Sequence, residues 1–188
     1  MLDLNKIDKS WTLFLDRDGV INVEKKGTYV LKLNGFVLSD GLQVAMQKLS
    51  SVFGLIFVAT NQRGIAKGTV KLEDLQSIHA YMLEEINKHS GRIDKIYFCG
   101  DLHDESPNRK PNPGMALQAK KDFPQIDFSK SIMVGNTLSD MLFARNVGMH
   151  SVFIPSTEPE VSFPHELIDA RFNSLFDFAN AVSALMKH

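Results

Sequence analysis

The sequence has little of the features that mark several specialised classes of protein. A single cysteine, Cys99, stands among 188 residues, which excludes an intramolecular disulfide and a multi-cysteine zinc site. No apolar run approaches the roughly 18 residues of a membrane span, and the amino-terminal segment lacks the apolar core of a signal peptide. We therefore expect a cytoplasmic protein without a membrane partner.

Charge of one sign is not in excess either. Lysine and arginine together number 21 against 22 aspartates and glutamates. Without a basic excess or a basic stripe, the protein is not expected to bind nucleic acid electrostatically. The length matches about one domain of common size, so we predict one domain over residues 1–188.

Short apolar runs alternate with amphipathic segments along the chain. The runs predict buried strands over 11–15, 55–60, 93–99, 131–134 and 151–154. Helices are predicted over 41–50 and 72–88, after residue 137 and over 175–186. A further helix is predicted to begin at Asn112 and Pro113, because asparagine suits the N-cap and proline the first helical position. This alternation predicts an α/β fold with a doubly wound parallel sheet.

Ligands of such sheets bind at the carboxyl ends of the strands, so the residues after each run are the candidates for a site. Asp16 and Asp18 follow the first run. In an extended chain residues i and i+2 point the same way, which brings the two carboxylates together and favours a compensating cation such as Mg²⁺. One carboxylate could act as nucleophile and the other as general acid. A solvated turn is the alternative.

The second run ends in Thr60, Asn61, Gln62 and Arg63. The threonine hydroxyl and the nearby backbone N–H groups could hold a phosphoryl oxygen. Threonine and asparagine also commonly end strands and begin turns without any further role, so both interpretations stay open.

A basic pair, Arg109 and Lys110, precedes a predicted helix and is followed by prolines at 111 and 113. The prolines stiffen the chain, and the helix N-terminus adds partial positive charge, so the lysine ammonium suits an anion. The alternative is a solvated basic pair.

The fourth run is followed by Gly135, Asn136 and Thr137, with Asp140 three positions further on. Oxygen-bearing side chains in this turn could complete a metal site. Thr137 and Asp140 also have the spacing of a capping box, which would simply begin the next helix. One residue can serve both purposes.

Taken in this order, the four segments resemble the motifs of the haloacid dehalogenase superfamily of phosphohydrolases. Residues 14–22, 60–68 and 109–115 are similar to its branch of heptose bisphosphate and histidinol-phosphate phosphatases. The resemblance covers roughly residues 11–154.

The resemblance implies roles for five residues. Asp16 would attack phosphorus and form an aspartyl-phosphate, and Asp18 would protonate the leaving alcohol and later activate water. Thr60 and Asn61 would hold phosphoryl oxygens, and Lys110 would neutralise charge. Positioning and charge stabilisation of this kind are most of what phosphoryl transfer needs.

The resemblance also implies a cofactor, Mg²⁺, bound by Asp16, Asp18 and the turn after the fourth strand. Where the family has aspartate in that turn, this chain has Asn136. An amide oxygen coordinates Mg²⁺ without bringing charge, so we expect weaker binding unless Asp140 takes over.

The cysteine-rich zinc loop of this branch is missing. The corresponding stretch holds only Cys99 and His103, too few soft ligands for a closed zinc site, so no structural zinc is expected and His103 is interpreted as a loop residue.

Between the motifs there is no room for a large cap domain. Selectivity would then depend on the loops at 24–33, 62–68 and 102–109, with Gln62, Arg63 and Arg109 as substrate-binding candidates. Arg109 could grip a second anionic group with both arms of its guanidinium.

The resemblance implies a Mg²⁺-dependent phosphatase for a small phosphorylated metabolite, with D-glycero-D-manno-heptose 1,7-bisphosphate as the first expectation. Histidinol phosphate is the nearest alternative, and a polynucleotide substrate fits the charge balance poorly. A catalytically weakened binding or regulatory module is the alternative of another class. We expect a monomer.

Overall fold

The computed structural model describes residues 2–24 and 33–185. The predicted selectivity loop at 24–33 therefore lies outside the described residues except for its two ends. The strands are β1 (Thr12–Leu15), β2 (Leu55–Asn61), β3 (Lys95–Cys99), β4 (Ser131–Gly135), β5 (His150–Phe153) and β6 (Ala170–Arg171). The helices are α1 (Leu42–Val52), α2 (Leu72–Asn87), α3 (Gly114–Asp122), α4 (Leu138–Val147) and α5 (Leu175–Leu185), with short 3-10 helices at Leu4–Lys6, Leu33–Gly35 and Phe128–Lys130.

The six strands form one parallel sheet in the order β3-β2-β1-β4-β5-β6. Leu15 at the end of β1 is in register with Val58 of β2 and Val134 of β4. The prediction of a parallel α/β sheet is confirmed.

Both faces of the sheet are covered, which explains why the central strands β1, β2 and β4 are mostly apolar and buried. In β1, Leu13 and Leu15 pack on the side of α1, α2 and α5, whereas Phe14 packs on the side of α3 and α4. Successive residues of a strand point to opposite faces, so an uninterrupted apolar run is what a doubly covered strand requires.

Two features differ from the prediction. The edge strand β6 has two half-buried residues and is too short to give a periodic pattern. Helix α3 begins at Gly114 with Pro113 at the N-cap, so the prediction that Asn112 caps it was wrong. The Asn112 amide donates instead to the carbonyl groups of Asp104 and Ser106 and braces the preceding loop.

The order of the strands determines where a ligand can bind. From β1 the chain moves outward through β2 to β3 and then returns to the other side of β1 as β4. The connections after β1 and β4 therefore diverge and leave a crevice at the carboxyl edge of the sheet.

None of the helices in the described part of the chain is long and apolar enough to cross a membrane.

Candidate active site

A cleft of about 380 Å³ opens at this edge of the sheet. Its size is within the range of small-molecule sites. It is lined by residues that follow β1, β2, β4 and β5 and by the Arg109 and Lys110 pair before α3. The segments singled out in the sequence therefore converge on one cavity.

Lys110 lies at the centre of the site. Its Nζ is 2.9 Å from Asp16 Oδ1 and 2.6 Å from Asp140 Oδ1, and it donates to the Ala59 carbonyl at 2.7 Å. The three N–H groups of the ammonium thus have three acceptors, two of them charged. This arrangement fixes Lys110 between the residue after β1 and a residue in the first turn of α4.

Burial raises the pKa of Asp16 to about 7, because a carboxylate loses its hydration in this position; Asp140 and Asp18 add to the increase, while Lys110 opposes it. For Lys110, burial disfavours the charged form, yet Asp140 and Asp16 outweigh burial and raise its pKa. The ammonium is therefore charged at neutral pH, and Asp16 needs further positive charge to stay ionised.

Asp18 has a different environment. Burial acts to raise its pKa, but the Arg17 guanidinium and hydrogen bonds from Asn22 and Gln62 outweigh burial and lower the pKa. Arg17 contacts both Asp18 oxygens at 3.0 Å, and Asn22 and Gln62 donate at 3.0 and 2.9 Å. Asp18 is therefore held ionised, the form that accepts a proton.

Asn61 positions Lys110 through a reciprocal pair of hydrogen bonds. Its Nδ2 donates to the Lys110 carbonyl at 3.1 Å, and its Oδ1 accepts from the Lys110 backbone N–H at 3.0 Å. The Asn61 side chain is thus already engaged in holding the Lys110 backbone.

Thr60 is buried, and its Oγ1 accepts a hydrogen bond from Gln62 Nε2 at 3.0 Å. It lies beneath the residues that line the cleft. Gln62 lines the cleft and also accepts from Arg17 through its Oε1. Gln62 thereby connects the residues after β1 with those at the end of β2.

Arg63 and Arg109 contact the same exposed carboxylate, Asp104. The distance from Arg109 Nε to Asp104 Oδ1 is 2.9 Å. Arg109 lines the cleft, whereas Arg63 lies outside the lining. Of the two arginines predicted to bind substrate, the structure brings only Arg109 to the cavity.

Both oxygens of Asp140 have partners within the chain. Its Oδ1 contacts Lys110, and its Oδ2 accepts from the backbone N–H groups of Asn136 and Thr137 and from the Thr137 hydroxyl at 2.9–3.1 Å. The predicted capping box at the start of α4 is present. Asp140 therefore both caps the first turn of α4 and holds Lys110.

Asn136 is 1% exposed and lines the cleft. Its Oδ1 is buried and has no hydrogen-bond partner among the residues that the structure describes. Its Nδ2 donates to the Thr157 hydroxyl. A buried oxygen without a donor is a candidate metal ligand.

Several residues at the site escaped sequence analysis. Arg17 follows β1, its partner His79 lies on α2, and the sequence predicted no role for either. Thr157 and Glu158 lie at the cleft or contact its lining, whereas Glu24, which also lines the cleft, is the first residue of the loop predicted at 24–33. Thr157 and Glu158 follow β5, so the rule that sites form at strand ends could have found them.

His103 lies in an exposed loop and outside the cleft lining, as predicted. Across residues 2–24 and 33–185, no group of three or more His, Cys, Asp or Glu side chains is arranged to hold a metal by itself. A cation at the cleft would therefore need carbonyl or amide oxygens besides carboxylates.

Comparison with known proteins agrees with the geometry. The HAD-hydrolase-like family model matches residues 107–162, a span that includes Lys110, Asn136 and Asp140. The chain is 41% identical to a D-glycero-alpha-D-manno-heptose-1,7-bisphosphate 7-phosphatase of Campylobacter jejuni over 80% of this chain and 85% of the relative. It is 35% identical to the enzyme of that name in Mycobacterium bovis, over 92% and 91% of the two chains.

A solved structure is similar over nearly the whole fold. The D,D-heptose 1,7-bisphosphate phosphatase from B. bronchiseptica, complexed with magnesium and phosphate, has a TM-score of 0.82 and 25% identity, covering 92% of this chain and 97% of that one. The resemblance seen in the sequence motifs is confirmed. The chain belongs to the haloacid dehalogenase-like phosphatases, in the family of the heptose-1,7-bisphosphate 7-phosphatases.

Proposed function

We propose that the protein is a Mg²⁺-dependent phosphomonoesterase that uses Asp16 as nucleophile on D-glycero-D-manno-heptose 1,7-bisphosphate. The observation that carries the proposal is the contact of one buried ammonium, Lys110, with both Asp16 and Asp140 at the mouth of the crevice. The names of the relatives support this substrate.

The charge of the cleft supports a divalent cation. Five carboxylates and three cationic side chains line it, which leaves an excess of two negative charges where a phosphate dianion has to bind. Asp16, the Asp18 carbonyl and the unpartnered Oδ1 of Asn136 offer the oxygen ligands that Mg²⁺ prefers. When bound, Mg²⁺ supplies the positive charge that keeps Asp16 ionised and neutralises the phosphoryl oxygens.

Asp140 is not proposed as a ligand. Its Oδ1 contacts Lys110 and its Oδ2 accepts the hydrogen bonds that cap α4, so a cation at Asp140 would compete with one of these two sets of contacts. Its proposed role is to position Lys110.

The chain's own residues then account for both halves of the reaction. An Asp16 oxygen forms a bond to phosphorus while the bond from phosphorus to the sugar oxygen breaks, and Asp18, once protonated, gives its proton to that oxygen. A water then attacks phosphorus, its proton passes to Asp18, and the bond to Asp16 breaks to release phosphate. The hydrogen bonds to Asp18 favour the ionised form needed in this second half.

Arg109 is the proposed contact for a second anionic group. Arg109 lines the cleft beside Lys110. Its present partner, Asp104, is exposed, so a phosphate group of the substrate could take the place of Asp104 as the anion that Arg109 contacts. Because a guanidinium binds carboxylate and phosphate in the same way, the contact suits a bisphosphate.

We also propose a single domain and a monomer in the cytoplasm. The two large clusters of buried apolar residues lie on the two faces of one sheet, so the described elements share one framework.

The test is phosphate release from an aryl phosphate and from a panel containing the heptose bisphosphate, histidinol phosphate and a 5′-phosphorylated oligonucleotide, with and without Mg²⁺. The parent is expected to act with Mg²⁺ and to prefer the bisphosphate. Asp16→Asn is expected to lose at least about 10³-fold in rate, because the nucleophile is gone.

Asp74→Asn in the first turn of α2, far from the cleft lining, is the matched control and is expected to keep the parent rate. An Asp16→Asn variant as fast as the parent would exclude the covalent mechanism. A parent that binds phosphorylated ligands but releases no phosphate would make the protein a binding module instead.

A further inference from the structure

The Asn136 side chain is held by a short chain of hydrogen bonds that the catalytic mechanism does not use. Asn136 Nδ2 donates to the Thr157 hydroxyl, and that hydroxyl donates to Glu24 Oε2. We propose that Thr157 and Glu24 are positioning residues that fix which end of the Asn136 amide faces the cation. This inference rests on the Mg²⁺ site of the proposed function.

The direction of each hydrogen bond follows from the number of protons available. A hydroxyl has one proton, and a carboxylate can only accept. Thr157 therefore gives its proton to Glu24 and offers only lone pairs to Asn136. The partner on Asn136 must then be the NH₂ group, which leaves Oδ1 at the other end of the amide.

The alternative orientation of the amide is unfavourable on both sides. After a flip, Oδ1 would meet the lone pairs of Thr157, and the NH₂ group would occupy the position of the present unpartnered oxygen. An amide NH₂ has no lone pair for a cation, so the flipped side chain would repel it. The hydrogen bond to Thr157 thus selects the orientation that can bind metal.

The backbone around Asn136 adds to this restriction. Its N–H donates to Asp140 Oδ2 at 3.1 Å, and the side chain packs closely over Gly19, where an added Cβ would lie 2.0 Å from Nδ2. With the backbone fixed and the space around the side chain filled, the motion left to Asn136 is a flip of its amide that exchanges Oδ1 and Nδ2. Thr157 and Glu24 remove it.

An aspartate at position 136 would not need this device. Both oxygens of a carboxylate can bind Mg²⁺, so neither orientation is wrong. Thr157 also has only one hydroxyl proton, so it could not donate both to Glu24 and to a carboxylate at position 136. The pair of Thr157 and Glu24 is therefore matched to asparagine, the residue at which this chain departs from its family.

The test is Mg²⁺ binding to the free protein, measured by isothermal titration calorimetry, in parent and Asn136→Asp backgrounds. Thr157→Val removes the hydroxyl at nearly constant volume. In the parent background it is expected to weaken Mg²⁺ binding about tenfold, the lower end of what partners of metal ligands contribute. Thr157→Ser keeps the hydroxyl and is expected to stay within about twofold of the parent.

In the Asn136→Asp background, Thr157→Val is expected to change Mg²⁺ affinity by less than about twofold, because a carboxylate has no wrong orientation. Glu24→Ala frees the Thr157 proton and also removes one of the cleft's negative charges, so it is expected to weaken binding more in the parent than in the Asn136→Asp background, where only the loss of charge counts. It provides the same test if Thr157→Val does not fold, which thermal unfolding of the metal-free variants would show.

Two results would overturn the inference: parent-like affinity in Thr157→Val or, if that variant does not fold, in Glu24→Ala; or an equal loss for Thr157→Val in both backgrounds. Either result would leave the proposed function intact as long as the parent binds Mg²⁺ and releases phosphate. A parent that binds no Mg²⁺ would overturn the metal site and this inference together.

Discussion

At the scale of single residues, the two aspartates that follow β1 differ because of Arg17, the residue between them. Arg17 is buried, contacts Asp18 through one arm of its guanidinium, and reaches the His79 ring nitrogen Nε2 at 3.2 Å through the other. A guanidinium only donates, so His79 must accept through a neutral ring. The sequence predicted that the two carboxylates lie together, but only the packing around Arg17 shows that Asp18 pairs with Arg17 and Asp16 with Lys110.

We expect His79 to make the protein less stable in mild acid. Burial and, to a smaller extent, the Arg17 guanidinium lower the pKa of His79 to about 4 against the opposing effect of Asp18. Below about pH 6.5 the unfolded chain binds a proton that the folded chain excludes, so stability falls as the pH drops to about 4, by up to about 3 kcal/mol. Urea unfolding of the parent across this range measures the loss.

His79→Gln keeps an acceptor for Arg17 and cannot titrate. Its unfolding free energy is expected to vary less with pH between 6.5 and 4 than that of the parent, whereas the exposed His89→Gln control is expected to follow the parent. Identical pH slopes for His79→Gln and the parent would show that His79 is not the group responsible.

At the scale of elements, the sequence predicted those parts of the fold that repeat over several residues. Five strands and five helices follow from apolar runs and helical spacing, because each buries a face against the sheet. β6 and the start of α3 were missed since two residues give no period and the Asn112 amide finds acceptors in another loop. Thr157 was missed because its importance arises from a contact with Glu24, 133 positions away.

The turn after β1 depends on Gly19. Its φ of +82° lies in the left-handed region, and an added Cβ would lie 2.0 Å from Asn136 Nδ2 and 2.8 Å from Ser156 Oγ. Gly19→Ala is therefore expected to lose stability and also to displace Asn136, which weakens Mg²⁺ binding. Chemical unfolding and metal titration of the same preparation measure the two effects.

Gly68→Ala is the matched control, because Gly68 has a φ of +66° but no atom within 4 Å of an added Cβ. It is expected to cost only the backbone strain, about 1–2 kcal/mol, with parent-like Mg²⁺ affinity. Equal effects of both substitutions on metal binding would rule out a specific contact between Gly19 and Asn136.

At the scale of the whole molecule, the exposed apolar side chains bear on the proposed monomer. Four of them lie on separate helices, with Val44 on α1, Leu72 on α2, Leu117 on α3 and Leu142 on α4, whereas Val23 and Val37 lie on neighbouring segments. Those of α1 and α2 belong to one side of the sheet and those of α3 and α4 to the other. Single apolar residues of this kind are ordinary surface features.

Light scattering coupled to size exclusion is expected to give the mass of one chain, 21.1 kDa, at micromolar concentration. The mass is expected to stay the same when Mg²⁺ or phosphate is added. A mass of two chains under these conditions would contradict the monomer.

The sequence predicted which residues form the site, and the structure shows how their charges are paired. Strand ends predicted Asp16 and Asn136 as site residues, since parallel strands bring their carboxyl ends to one edge, and the prolines before a predicted helix predicted Lys110. Which oxygen each group uses, and that Asp140 holds Lys110 while it caps α4, depends on side-chain packing that no spacing encodes.

Asp16 is expected to become phosphorylated during each turnover. Acid quenching during turnover of a ³²P-labelled substrate tests this step most directly. The parent is expected to carry label on the peptide that contains Asp16, and Asp16→Asn none. Steady release of phosphate with no labelled protein, or label on a different peptide, would contradict the account.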